Sequence, residues 1–425
     1  MSARTTRHTL SSRTAGVIGN VMEWYDFALF GYFAPIIGNH FFPAANSLTS
    51  LLQTYGVFAA GFLMRPLGAV VFGYIGDRFG RSRALVLSVI MMGAPTFCLG
   101  LLPGYDQIGL WAPGLLVVIR LVQGLSVGGE FSSSVTYMVE TAPSGRRGYA
   151  GSWANFGSMS GTLLGSGTAA AFATALSTAS LHSWGWRVPF LLGILLAAFA
   201  LYMRRNLPHT QLFKEHVKNH TDDNPLHEAL TRNLKQTVLA VLFASGYGVF
   251  FYIPLVYLPS YADAVTNVPL ALALRINTLG TVVMLPLIPL IAIASDRWVR
   301  RRSLLIGAFA AMALAAYPVF VALARGQSGA LLAAQLLFAV LVAFSVAIAP
   351  AMFVEMFPTE DRLTGYSLAF NIGLGLVGGT APMIATWLIE VTGMPAAPGL
   401  YLAGLSLVSV VALAFMRDRS REPLL

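Results

Sequence analysis

Apolar runs recur along the chain from residue 15 to residue 416, each closed by a short polar or charged stretch. Each run has roughly twenty residues, the length at which a helix rising about 1.5 Å per residue crosses about 30 Å of hydrocarbon. The pattern predicts spans at 15–38, 50–75, 84–102, 112–139, 149–176, 187–205, 237–262, 270–294, 303–323, 329–355, 364–390 and 397–416. The short alternating strands of a membrane barrel are not seen. The expected fold class is an all-α membrane protein of twelve transmembrane helices.

The longest polar interruption, NLPHTQLFKEHVKNHTDDNPLHEALTRNLKQ at 206–236, divides the chain into halves at 1–205 and 237–425. It holds four of the seven histidines, but their irregular spacing and the lack of cysteine predict a solvated linker, with no metal or cofactor. The halves repeat. GYIGDRFGRSR at 73–83 returns as AIASDRWVRRR at 292–302, so Asp77, Arg78, Arg81 and Arg83 reappear as Asp296, Arg297, Arg300 and Arg302. ETAPSGRRGYAGSWANFG at 140–157 returns as EMFPTEDRLTGYSLAFNIG at 355–373, matching Glu140, Pro143 and Arg147 to Glu355, Pro358 and Arg362. Duplicated halves of six spans predict a transporter whose site lies between them near mid-membrane.

Composition agrees: 56% of residues are hydrophobic and 11% charged, where a soluble domain carries about a quarter. A net charge of +9 could suggest nucleic acid, yet most Lys and Arg fall in the N-terminal tail, the even-numbered loops and the C-terminal tail. Arg187 and Arg325 fall on the other side, and Arg65, Arg120 and Arg275 within spans. This is the positive-inside asymmetry, with both termini expected in the cytoplasm and no nucleic-acid partner. The basic N-terminus MSARTTRHTLSSR leads into a run holding Glu and Asp, read as a retained first helix instead of a cleaved leader. Cys98 is the only cysteine, so no intrachain disulfide forms. No lysine follows a glycine as a Walker A motif requires, and no HExxH or nucleophile elbow with a partner is present. An enzyme is not expected. A sensor would need a larger soluble domain, and duplicated halves argue against a channel.

Charges inside spans carry the candidate chemistry, because each costs about 2.5–3.5 kcal/mol to insert and so faces a cavity or a partner. Glu23 and Asp26 in GNVMEWYDF lie one turn apart on a face of the first helix, with Asp26 near mid-membrane. Glu130 in RLVQGLSVGGE joins them as a proton-site candidate, since burial raises a carboxyl pKa. Arg120 in the same stretch is ten residues, about 15 Å, from Glu130, too far for a direct pair. Its planar fork suits a substrate carboxylate. Its repeat position is Gln335, so the charge chemistry concentrates in the first half. Gln123, Tyr25, Trp153, Tyr252 and Asn371 complete the substrate candidates, against the alternative that membrane aromatics pack or form an interfacial belt. Arg275 either faces the cavity or snorkels to outer headgroups. Glycines 151, 157, 161 and 165, like Gly124 and Gly128, suit close helix packing.

GYIGDRFGR and its copy, at the loops after spans two and eight, resemble the signature of the major facilitator superfamily. GNVMEWYDF, GVFAAGFLMRPLGAVVFG, PGYDQIGLWAP, RLVQGLSVGGEF and WGWRVPF resemble its metabolite:proton symporter branch, which holds bacterial permeases for α-ketoglutarate, citrate, shikimate, and proline or betaine. The resemblance implies a monomer in the bacterial inner membrane that takes up substrate with protons by alternating access. It makes Asp77, Arg78, Arg81, Asp296 and Arg297 gating residues, and gives Arg65 a gate or structural pair. Within the branch, RLVQGLSVGGE and LLQTYGVFAAGFLMRP look most like the α-ketoglutarate permeases, so the expected substrate is a di- or tricarboxylate. The alternative is a zwitterionic osmolyte, whose quaternary ammonium the Trp and Tyr side chains could hold by cation–π contact. The chain ends at MRDRSREPLL without the long helical extension of the osmoregulatory carrier, which favours the organic acid.

Overall fold

A computed structural model describes residues 20–44, 46–79, 81–127, 130–205, 234–326, 328–359 and 362–424. Most of the expected 206–236 linker lies outside these residues, and its last three positions already belong to a helix. Helices stand at all twelve expected places. The first half holds α1 (20–32), α2 (Ala34–Phe41), α3 (Ser47–Leu63), α4 (Arg65–Phe79), α5 (Arg81–Leu101), α6 (Trp111–Ser126), α7 (Glu130–Glu140), α8 (Arg147–Ala175) and α9 (Arg187–Arg205). The second holds α10 (Leu234–Tyr252), α11 (Leu258–Thr266), α12 (Leu270–Arg297), α13 (Arg301–Leu323), α14 (Ser328–Met356), α15 (Arg362–Phe370), α16 (Ala381–Thr392) and α17 (Ala397–Phe415).

Among the described residues, eight helical stretches are each long and apolar enough to cross a membrane, nine with a pair bent by 49° at Trp186. Their outer faces expose Leu195, Phe199, Leu314, Val411 and Phe415, as a lipid-facing surface requires. Several spans are broken where local chemistry dictates. Span seven widens to a π-helix over Ile253–Tyr257, where Pro254 supplies no N–H to the ladder. Span eleven widens over Asn371–Gly378 and closes at Gly393, whose φ of 66° favours glycine. In both cases the π-helical stretch faces the other half.

Small residues set how closely the helices approach. Gly161 on α8 meets the Val21 carbonyl of the first helix, and Gly124 on α6 meets Gly61 on α3. A side chain at either place would strike backbone, so both glycines serve packing, as in small-residue helix contacts generally. Between the halves, α8 packs along α12 and α14, while α3 faces α16 and the 371–378 segment.

Candidate transport site

Asp26 is 1% exposed and takes three partners. Arg120 Nη1 donates to its Oδ2 at 2.6 Å, and Thr96 Oγ1 and Gln123 Nε2 donate to its Oδ1 at 2.8 and 3.1 Å. Gln123 Nε2 also reaches Thr96 Oγ1 at 2.9 Å. Every member comes from α1, α5 or α6, so the network lies inside the first half. The Arg120 guanidinium lies over Phe30, 3.8 Å from the ring centre, and its Nε and Nη2 complete no hydrogen bond. Arg120 and Asp26, assigned by sequence to substrate and proton, are thus brought together as an ion pair.

Glu23 meets Arg65 at 2.8 Å, the pairing open to Arg65 from its place in span two. Arg65 also lies over Phe62 and Phe27, 4.6 and 5.2 Å from their centres. An aromatic ladder runs beside this pair and crosses the halves. Trp24 stacks on Tyr252, Tyr252 meets Phe58, Phe58 meets Tyr55, and Tyr55 meets Tyr257, with centroids 5.7–6.2 Å apart. The hydroxyls of Tyr252 and Tyr257 are fully buried without hydrogen bonds.

Other candidates lie elsewhere. Tyr25 turns into its own half and donates to the Pro189 carbonyl at 2.8 Å. Trp153 is 37% exposed and packs on Tyr149 and Phe156 of its own helix. Asn371 donates to Ser367 one turn back. Arg275 is exposed on α12, the arrangement expected of a snorkelling arginine, so the structure does not place it in the central site. The backbone of Asp77, Arg81 and Glu130 is helical, but their side chains lie outside the described residues.

The repeated loops form a closure at the charged face. Asp296 Oδ1 and Oδ2 accept from the Gly148 and Tyr149 N–H groups, both at 2.9 Å. A carboxylate of the second half thereby caps the start of α8 in the first, where the helix dipole favours negative charge. Arg301 bridges Asp296 and Glu355. The repeat partners also exchange across the halves: Arg147 meets Glu355 at 3.2 Å and Arg362 meets Glu140 at 2.5 Å. The repeat of these four residues is visible in the sequence, but their pairing and the part played by Arg301 are not. Arg297, named instead, is exposed, as is Arg78, which donates to the Tyr74 hydroxyl. One level deeper, Asn155 of α8 donates to Tyr247 Oη and to the Val346 carbonyl. On the opposite face Ser260 donates to the Gly31 carbonyl and Thr49 to Glu390, so contacts join the halves at both ends.

Known proteins share this architecture. A family described as "Sugar (and other) transporter" matches residues 14–237, and one described as "Major Facilitator Superfamily" matches 264–424. The proline/betaine transporter of Escherichia coli K12 is 33% identical over 97% of this chain and 84% of its own length. A glycine betaine/proline/ectoine/pipecolic acid transporter, OusA of Dickeya dadantii, is 32% identical over the same shares. The chain belongs to the major facilitator superfamily. A crystal structure of a D-xylose–proton symporter superposes with a TM-score of 0.77 over 98% of this chain and 100% of the other, at 19% identity. A partially occluded inward-open E. coli XylE gives 0.75, covering 96% and 97% at 18% identity. These superpositions establish the fold. The protein is a multi-pass membrane transporter of this superfamily and not an enzyme.

Proposed function

We propose that this transporter takes up a small zwitterion of the proline/betaine class together with protons, across a bacterial inner membrane. The observation that carries the reading is the charge balance of the centre. Arg120 is matched by Asp26 and Arg65 by Glu23, all four buried, and the aromatic ladder beside them is neutral. A dianion or trianion brought into such a centre would add uncompensated charge, costly at low dielectric. A zwitterion adds none, and aromatic faces attract its ammonium. The names of the relatives agree with this choice over the carboxylates.

Asp26 is the proposed proton site, with Glu23 as a structural partner of Arg65. Protonating Asp26 would dissolve its pair with Arg120 and so bias the first helix, which also supplies Trp24 to the ladder. The closure built on Asp296 is the proposed gate, on the cytoplasmic side by the distribution of Lys and Arg. A second reading, transport of an organic acid, draws on one observation: the Nε and Nη2 donors of Arg120 have no partner and suit a carboxylate. A thermal-shift screen separates the two. Proline and glycine betaine should raise Tm, and a rise with α-ketoglutarate or citrate alone would overturn the zwitterion reading.

A further inference from the structure

The second half holds a neutral polar cluster that the charge chemistry does not use. Asn277 of α12 and Gln335 of α14 are both about fully buried (0% and 1% exposed), and Gln335 Nε2 donates to Asn277 Oδ1 at 3.0 Å. That bond orients the Asn277 amide, so Nδ2 points away from Gln335 and completes no hydrogen bond. Gly280, a turn further along α12, leaves the space that the Gln335 side chain fills. The Tyr32 hydroxyl, fully buried on the first helix, pairs only loosely with the Asn277 amide, short of full hydrogen-bond geometry.

Asn277 Nδ2 and Tyr32 Oη therefore stand together, one from each half, with only each other as loosely placed partners among the described residues. A buried donor left unpaired costs about 1–3 kcal/mol, so the arrangement favours any ligand that brings an acceptor. Tyr55 donates to the Gly31 carbonyl, one residue before Tyr32, at 3.3 Å, and its ring meets that of Tyr257, so this end of the aromatic ladder adjoins the donor pair.

We propose that Tyr32 Oη and Asn277 Nδ2 bind the carboxylate of the zwitterion, with Gln335 as a positioning residue and Tyr55 and Tyr257 facing the ammonium. The inference rests on the zwitterion reading and names the groups that recognise its two ends. Because Tyr32 and Asn277 belong to opposite halves, a carboxylate between them draws the halves together. Tyr32 is six residues beyond Asp26 on the same span, about 9 Å of rise. Proton and substrate thus occupy different levels of one helix, and its movement couples them. Gln335 stands at the repeat position of Arg120, so the two halves use that position differently: a charged pair for the proton, an amide pair for the substrate.

The test compares glycine betaine with choline, which keeps the quaternary ammonium and lacks the carboxylate. Calorimetry on the full-length protein should show betaine binding more tightly than choline. Tyr32→Phe and Asn277→Ala should each weaken betaine about tenfold or more and leave choline nearly unchanged, bringing the two affinities together. Gln335→Met should weaken betaine too, and add little on top of Asn277→Ala. Should Asn277→Ala fail to fold, Tyr32→Phe retains the ring and carries the comparison alone. An unchanged betaine-to-choline ratio in the folded variants would overturn the assignment while leaving zwitterion transport standing. If the wild-type protein binds neither proline nor betaine, the function reading fails and this inference with it.

Discussion

At the scale of single residues, the buried pairs decide what can be substituted. Removing one partner of Arg120–Asp26 leaves a charge that is almost wholly buried, which typically costs 3–5 kcal/mol. Arg120→Ala should therefore lower Tm sharply, and the double variant Arg120→Gln/Asp26→Asn should recover part of the loss. Full additivity in that cycle would mean the two side chains do not interact. Tyr252→Ala, which removes a face of the ladder, should raise KM for betaine about 2- to 30-fold, while Tyr252→Phe should change it little. These pairings were only half legible in the sequence. The in-span charges could be listed from hydropathy alone, and Glu23 with Arg65 could be matched by sign and depth. Asp26 with Arg120 could not, because their contact depends on how the first and fourth spans pack, and each had been given a separate task.

At the scale of elements, the start of α8 and the end of α12 work as one joint. Asp296 caps α8 across the halves, and the Glu140/Arg147 and Glu355/Arg362 repeats exchange partners there. The motif was visible at a spacing of 215 residues, but a repeat in one dimension does not say that its copies face each other. The same limit explains Arg297 and Arg301: only the helical register shows that the first points outward and the second inward. Glu140→Arg and Arg362→Glu should each shift the transporter toward opening at the charged face, read as increased labelling of a cysteine placed beside Tyr149. The combined swap should restore protection. The C-terminal residues add to the closure, since Arg147 Nη2 donates to the Glu422 and Ser420 carbonyls at 2.6 and 3.3 Å. Burial raises the Asp418 carboxyl, but bonds from Ser420 and the Arg302 N–H, with the Arg301 charge, bring it below its ordinary value. A depressed carboxyl contributes above the unfolded pKa and loses its contribution as pH falls through the folded one. Tail docking should thus persist at neutral pH and weaken only in acid, and Asp418→Ala should free the tail at pH 7, measured by its proteolysis.

At the scale of the whole molecule, two six-helix halves of similar outline carry unequal chemistry. Within the spans the ionised pairs Arg120–Asp26 and Arg65–Glu23 lie in the first, the Gln335–Asn277 amide pair lies in the second, and the aromatic ladder spans the seam. The twelve-span frame and its duplication were legible because lipid imposes a long, uniform apolar pattern. The substrate class was not, because it depends on which charges cancel once the helices pack. The central claim is proton-driven accumulation of a zwitterion, and uptake of radiolabelled glycine betaine into proteoliposomes tests it most directly. With an imposed inward proton gradient, betaine should accumulate above its outside concentration and leak back when a protonophore is added, and Asp26→Asn should abolish accumulation. Accumulation that persists in the Asp26→Asn protein, or that ignores the protonophore, would contradict the account.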